Sequence, residues 1–239
     1  MKKFVITLDR TPDRWAEFRA RNKELTVARF NAFDGLCLDR TKLAQEGLTE
    51  VGLRYSQGAL GCASSHVELW RRCAAGGEAF MVLEDDAVVH QDVEVLFYRL
   101  REPLPVGWDY LVLGFNMDCP VQFELLPGVT PCRGTFLADG AAANLKKFKS
   151  LELRPIAYRL QLCFGTPGYV ITPTGAQKLL KLLLPLKNFT MTASCGLDLK
   201  NVGIDVALNL VFAKINAYVS IPPLVITPND KATSTVQGS

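Results

Sequence analysis

The stretch FMVLEDDAVV (residues 80–89) places three acidic residues directly after a run of apolar ones. The apolar run predicts a buried strand, and carboxylates next to it are costly to bury unless something compensates their charge. Side chains alternate along an extended chain, so Glu84 and Asp86 should face one side and Asp85 the other. Two carboxylates on one side suit Mg²⁺ or Mn²⁺, although helix capping or simple exposure to solvent would also explain them.

Strand-like and helix-like segments alternate on both sides of this stretch. KFVITL (3–8) and YLVLGF (110–115) are further buried-strand candidates, and an amphipathic segment at 93–101 precedes the second of them. The alternation predicts an α/β domain with a mostly parallel central sheet flanked by helices. Ligands of such sheets bind beyond the carboxyl ends of the strands, which is where the acidic residues should lie.

The remaining segments predict one domain, residues 1–226, followed by a polar tail, 227–239. Ser65 and Glu68 have the spacing of a capping box, which predicts a helix from about His66 to Ala75. Residues of about 120–160 predict a long loop or lid. The segment 203–225 predicts a final helix followed by an edge-type strand.

Composition narrows the classes of function. The net charge of +3, from 27 basic and 24 acidic residues, is too small to indicate a nucleic-acid partner. The apolar stretch near the N-terminus is too short for a signal peptide, and no run approaches the length of a membrane span. Seven cysteines without a CxxC motif favour reduced thiols. These features predict a cytoplasmic protein.

Five groups of segments form an ordered set of motifs along the chain: VITLDRTPDRW (5–15), NAFDG (31–35), GALGCASSHVELW (58–70) with MVLEDDAVV (81–89), GYVITPTGAQKLL (168–180), and IDVALN (204–209) with PPLV (222–225). In this order they resemble the motifs of glycosyltransferase family 25, which contains bacterial lipooligosaccharide galactosyltransferases and collagen-modifying galactosyltransferases. The resemblance implies a GT-A-type fold with a single nucleotide-binding domain. It also implies a UDP-sugar donor, Mn²⁺ or Mg²⁺ as cofactor, and inversion at the anomeric carbon.

The resemblance also implies roles for particular residues. Asp86, and after it Glu84, are the expected metal ligands. Asp205 is the expected general base, and a helix-capping carboxylate is the alternative explanation of its position. The residues expected to contact the donor are Leu8, Arg10, Arg14, Asp34, Gly61, Ser65, His66, Asp85 and Tyr169. Helix or turn capping, packing in the core, or a charge exposed to solvent would also explain residues of these types.

The function expected from the residues and the resemblance together is transfer of a hexose, galactose before glucose, from a UDP-sugar to a hydroxyl group. The acceptor would be a glycan or lipid-linked oligosaccharide of the lipooligosaccharide or LPS class. Peripheral contact with the inner face of the inner membrane follows from such an acceptor. Two alternatives stay open: a metal-dependent phosphohydrolase or nucleotidyltransferase, and a non-catalytic relative that binds sugar nucleotides or glycans.

Overall fold

The computed structural model of the chain describes residues 1–192, 196 and 198–228. Its strands are β1 (Lys2–Thr7), β2 (Ala28–Asn31), β3 (Phe80–Glu84), β4 (Val88–Val89), β5 (Tyr110–Gly114), β6 (Val121–Leu126), β7 (Thr130–Gly134), β8 (Ile156–Leu162), β9 (Gly168–Ile171), β10 (Thr190–Thr192), β11 (Asp198–Lys200), β12 (Ala217–Ile221) and β13 (Val225–Ile226). Its α-helices are α1 (Pro12–Arg21), α2 (Arg40–Gln45), α3 (Gln57–Ala75), α4 (Val93–Arg101), α5 (Ala138–Ala143), α6 (Leu145–Lys149), α7 (Pro173–Leu183) and α8 (Ile204–Leu208).

In the described part of the chain, the main sheet has nine strands in the order β2-β1-β3-β9-β5-β12-β8-β6-β7. The α/β class predicted from the sequence is confirmed, but the sheet is more mixed than the mostly parallel one expected. β1 is parallel to both β2 and β3, and β5 is parallel to β12. β9 runs antiparallel between β3 and β5, and β8, β6 and β7 continue with antiparallel pairings. Because β9 is apolar along its whole length, its sequence pattern does not indicate its direction.

Helices cover both faces of the sheet. Phe80 and Val82 of β3 belong to the core beneath α3 and α7. Met81 and Leu83 belong to the opposite core, beneath α1 and α4. Alternate side chains of β3 therefore pack into two separate apolar layers on opposite faces of the sheet. The next residue, Glu84, lies on the same face as α3.

Helix α3 begins earlier than the capping-box pattern predicts. Its N-cap is Ser56, whose hydroxyl accepts the N–H of Ala59 over 3.0 Å. Ser65 lies in the middle of the helix, and its hydroxyl donates to the carbonyl of Gly61 one turn earlier, over 2.8 Å. Glu68 forms an ion pair with Arg72 instead of closing a capping box. The helix start predicted at Ser65 is therefore wrong, because Ser56 satisfies the free N–H groups two turns upstream.

Two further predictions about the second half of the chain are corrected. The region 120–160 contains regular structure, because β6, β7 and β8 extend the main sheet and α5 and α6 lie between them. Strand β12 lies inside the sheet between β5 and β8, not at its edge. Of the predicted tail 227–239, Thr227 and Pro228 belong to the described part of the chain, and residues 229–239 lie outside it.

Within the described part of the chain, no helix is long and apolar enough to cross a membrane. The six cysteines described are free thiols, as the sequence predicts.

Candidate active site

A cavity of about 550 Å³ opens where β1 and β3 end. The loops that follow these strands form part of its wall. The first turns of α3 and α8 and the segment before β9 form the rest. Of the twelve site residues predicted from the sequence, nine line this cavity: Leu8, Arg10, Arg14, Asp34, His66, Glu84, Asp85, Asp86 and Asp205.

Glu84 and Asp85 point to opposite sides of the chain, as the alternation of an extended strand predicts. Glu84 faces α3, where its Oε1 lies 3.3 Å from Nε2 of His66 and accepts the hydroxyl of Thr166 over 2.6 Å. Asp85 faces α1, where its Oδ1 accepts Nε–H of Arg14 over 2.8 Å. Burial would raise the pKa of Glu84, but hydrogen bonds from His66 and Thr166 and the nearby Arg14 charge lower it below its ordinary value.

Asp86 is the least compensated carboxylate of the three. Strand β3 ends at Glu84, so Asp86 lies in the turn that follows, where strand alternation no longer sets its direction. It is hydrogen-bonded to Thr227, but its Oδ1 is buried and has no hydrogen-bond partner among the described residues. Burial and the charge of Glu84 raise the pKa of Asp86 to about 6. A buried oxygen without a partner inside a cavity indicates a place for a ligand.

Two arginines are held at the wall by acidic partners. Arg10 donates Nε–H to Oδ2 of Asp34 over 2.7 Å. Asp34 also accepts the N–H of Leu36 over 3.1 Å, which caps the short turn at 35–37. Arg14 is bound to Asp85, as described above. These pairs fix the guanidinium groups at the cavity before any ligand binds.

Asp205 lies in the first turn of α8, and its Oδ2 accepts the N–H of Gly165 over 3.0 Å. Burial raises the pKa of Asp205, and the charge of Glu84 adds to this effect, while backbone N–H groups of Gly165 and Val206 oppose it. Asp205 is not the N-cap residue of α8, which is Gly203, although its carboxylate also accepts the N–H of Val206 in the first turn of that helix. The carboxylate therefore lies in the cavity wall with a raised affinity for protons, which suits a general base.

Gly61 and Ser65, expected at the donor, lie behind the wall and not in it. A Cβ at Gly61 would stand 2.5 Å from the carbonyl oxygen of Phe33 and 2.7 Å from the N of Gly35. The Ser65 hydroxyl accepts the N–H of Phe33 over 2.9 Å. Both residues thus hold the loop that carries Asp34 against α3.

Tyr169 is the third predicted residue that does not line the cavity. It is 1% exposed, and its hydroxyl lies 2.9 Å from Nδ1 of His66 and accepts Nε1–H of Trp70 over the same distance. Its contact with the cavity is therefore indirect, through His66.

Sequence reasoning missed several cavity residues. Thr166 precedes β9 and binds Glu84, and Thr227 binds Asp86 from the C-terminal segment. Arg54 and Asn116 also line the cavity. A Gly-Thr-Pro turn before the strand at 168–171 was the available signal for Thr166, whereas nothing near Thr227 indicates a site.

A model described as glycosyltransferase family 25 (LPS biosynthesis protein) matches residues 1–194. "Probable inactive glycosyltransferase 25 family member 3" of Rattus norvegicus is 29% identical over an alignment of 143 residues, and the alignment covers 53% of this chain and 25% of that protein. "Inactive glycosyltransferase 25 family member 3" of Homo sapiens gives the same identity over 53% of this chain and 24% of its own length. The chain thus spans about a quarter of the length of these curated relatives.

Among solved structures, the galactosyltransferase LgtC, in complex with donor and acceptor sugar analogs, aligns with a TM-score of 0.39 and 11% sequence identity. The alignment covers 89% of this chain and 70% of that one. At this level of similarity the alignment supports no argument about function.

Proposed function

The chain belongs to glycosyltransferase family 25, and we propose that it is a metal-dependent, inverting hexosyltransferase with a GT-A-type fold. The donor is a UDP-hexose, with galactose favoured over glucose as the sugar. The acceptor is a hydroxyl group of a glycan or of a lipid-linked oligosaccharide, in keeping with the LPS-biosynthesis description of the family. On this proposal the protein works in the cytoplasm, with peripheral contact at the inner membrane where a lipid-linked acceptor is presented.

The observation that carries the proposal is the buried Oδ1 of Asp86, which has no hydrogen-bond partner among residues 1–192, 196 and 198–228 and lies in a cavity that Glu84 also lines. A divalent cation would compensate both the buried oxygen and the repulsion between the two carboxylates. Hard oxygen donors of this kind suit Mn²⁺ or Mg²⁺. Asp86 and Glu84 would hold the ion, which when bound supplies charge neutralisation to the diphosphate of the leaving UDP.

The protein's own side chains then orient the donor. Arg10 and Arg14 already hold fixed positions through Asp34 and Asp85, so their N–H groups can meet phosphate or ribose oxygens with little loss of freedom. Asp85 serves the donor through Arg14. Leu8 and Asp34 belong to the same wall of the cavity.

Asp205 is the proposed base. In a single displacement, the acceptor oxygen forms a bond to the anomeric carbon while the bond from that carbon to UDP breaks, and the hydroxyl proton passes to the base. The raised pKa of Asp205 favours this proton transfer. Its carboxylate is oriented by the N–H of Gly165 and stays within the cavity wall.

A non-catalytic relative that binds sugar nucleotides is the second candidate function. The observation in its favour is that the similar rat and human proteins carry "inactive" in their names. The match covers only about a quarter of those proteins. The word in their names therefore supports a non-catalytic function of this chain only as the second candidate.

Calorimetry with UDP, with and without Mn²⁺, tests the proposal. We expect UDP to bind only with the metal present, and EDTA to abolish the heat of binding. Slow release of UDP from UDP-galactose without any acceptor would then report catalysis independently of the acceptor's identity. The absence of metal-dependent UDP binding would refute the proposal, and binding without any release of UDP would favour the non-catalytic alternative.

A further inference from the structure

Behind the cavity wall, a chain of hydrogen bonds runs from the protein core to Glu84. Nε1–H of Trp70 donates to the Tyr169 hydroxyl, which in turn lies 2.9 Å from Nδ1 of His66. On the other side of the imidazole, Nε2 lies 3.3 Å from Oε1 of Glu84. Trp70, Tyr169 and His66 are each at most 1% exposed. Buried polar groups of this kind need a complete set of partners, since an unpaired one is costly.

The donors and acceptors around His66 determine the direction of this chain. The Thr166 hydroxyl donates a hydrogen bond to Glu84 over 2.6 Å. The Thr166 oxygen, 3.3 Å from Nε2, therefore faces the imidazole as an acceptor, as does the carboxylate. Nε2 must therefore carry a hydrogen. In a neutral imidazole Nδ1 is then the acceptor, and it accepts a hydrogen bond from the hydroxyl of Tyr169. For a neutral imidazole, this is the only arrangement in which every side-chain N–H, O–H and ring nitrogen of Trp70, Tyr169 and His66 has a partner.

We infer that Trp70, Tyr169 and His66 are positioning residues for Glu84, an inference that rests on the proposed function because Glu84 serves the proposed metal site. His66 and Thr166 both engage Oε1, which restricts rotation of the carboxylate and leaves Oε2 as the oxygen available to the cavity. A carboxylate oriented in advance loses less freedom when it binds a cation. This series of hydrogen bonds connects the buried helix α3 and strand β9 to Glu84 in the site.

The same hydrogen bonds argue against a competing use of these residues. Donor atoms of Cys62, His66 and Glu84 lie within 4.8 Å of one another, a spacing compatible with a metal ion. A cation on Nε2 would require its lone pair and would move the hydrogen to Nδ1. The Tyr169 hydroxyl would then accept two N–H groups and lose the acceptor for its own proton. The network therefore favours the positioning role.

Tyr169→Phe tests the inference because it removes the hydroxyl and keeps the ring. We expect the affinity for Mn²⁺ in the presence of UDP to fall about 10-fold, the lower end of what loss of a partner behind a metal ligand causes. Tyr110→Phe is the matched control: Tyr110 is equally buried, and its ring stacks on Tyr169 with centroids 4.7 Å apart. The control should keep the wild-type Mn²⁺ affinity in the same calorimetric titration.

Two variants at His66 distinguish positioning from a merely structural role. The amide of His66→Gln can still donate to Glu84, so it should keep more of the Mn²⁺ affinity than His66→Ala does. A thermal melt will show whether Tyr169→Phe folds. If it does not, the comparison of His66→Gln with His66→Ala tests the inference instead. Equal loss in both His66 variants, or wild-type affinity in a folded Tyr169→Phe, would overturn the inference while leaving the proposed function intact, provided that the wild type binds UDP with Mn²⁺.

A titration with Co²⁺ decides whether the metal lies at Cys62 instead. Cobalt bound to a thiolate gives a charge-transfer band in the near ultraviolet. We expect no such band in the wild-type protein. A band that disappears in Cys62→Ser would overturn the inference, because His66 would then be a metal ligand itself.

Discussion

At the scale of single residues, the three neighbouring carboxylates differ in how their charge is balanced. Asp85 has Arg14, and Glu84 has His66 and Thr166. Asp86 keeps a buried oxygen that has no hydrogen-bond partner in the part of the chain that the structure describes. Incompletely compensated burial costs stability, and proteins tolerate it where a ligand supplies the missing interaction.

Asp86→Asn should therefore separate stability from function. The pKa of Asp86 is raised to about 6 from 3.8, so the folded protein binds a proton between these values that the unfolded chain does not. Stability falls as the pH rises through about 6, and the cost persists at neutral pH. We expect the variant to gain about 1–3 kcal/mol in unfolding free energy at pH 7.5 and to lose Mn²⁺-dependent UDP binding.

Denaturant unfolding at pH 7.5 and pH 5 measures this effect, and the gain should shrink at the lower pH. Asp85→Asn is the control from the adjacent position, and it should lose stability because it breaks the pair with Arg14. A loss of stability in Asp86→Asn as well would show that its contact with Thr227 outweighs the cost of burial.

The protonation state of the Asp205 carboxylate should set the pH dependence of turnover. A base must be deprotonated to accept a proton, and burial raises the pKa of Asp205. We therefore expect kcat/KM to fall on acidification at a pH above the ordinary titration range of aspartate. Asp205→Asn should bind UDP with Mn²⁺ as the wild type does and lose transfer by at least about 100-fold. Retained transfer with an unchanged pH profile would remove Asp205 from the mechanism.

At the scale of elements, the contact between α3 and the loop at 33–35 explains two of the glycines in the sequence motifs. A Cβ at Gly35 would stand 1.7 Å from the carbonyl oxygen of Gln57, and one at Gly61 would meet the backbone of Phe33. The helix and the loop approach more closely than any larger residue permits. This approach brings Asp34, and Arg10 with it, to the cavity.

Gly61→Ala should destabilise the protein by about 1–3 kcal/mol through overpacking, although alanine is the better helix former. Gly140→Ala in α5 is the matched control, since a Cβ there meets nothing within 4 Å. The control should keep or slightly raise the unfolding free energy in the same denaturant titration. Equal unfolding free energies of the two variants would mean that the loop at 33–35 can move away from α3 without loss of stability.

At the scale of the whole molecule, the site is closed by a segment from the far end of the sequence. β13 pairs with β4, and Val225 packs so closely that a Cβ at Gly114 would stand 2.3 Å from its carbonyl oxygen. This packing places Thr227 beside Asp86. The candidate metal site is thus complete only once the C-terminal segment has docked.

The direction of β9 is the clearest case in which the local pattern was insufficient. β9 runs antiparallel to its neighbours β3 and β5, so its amino end lies at the same edge of the sheet as their carboxyl ends. That direction brings Thr166 to Glu84. A β9 parallel to β3 and β5 would have placed Thr166 at the opposite edge of the sheet, away from Glu84.

The sequence by itself determined the α/β class and the acidic residues at the end of β3, and its resemblance to the family's motifs implied the nine predicted residues that meet at one cavity. These features depend on periodicity and on short motifs, which neighbouring residues encode. Only the tertiary structure decided which carboxylate oxygen lacks a partner among the described residues, that Ser65 and Gly61 contact the loop at 33–35, and that Tyr169 contacts His66 without lining the cavity. The partners in those contacts are far apart in the sequence, and their geometry depends on strand direction and on packing between layers.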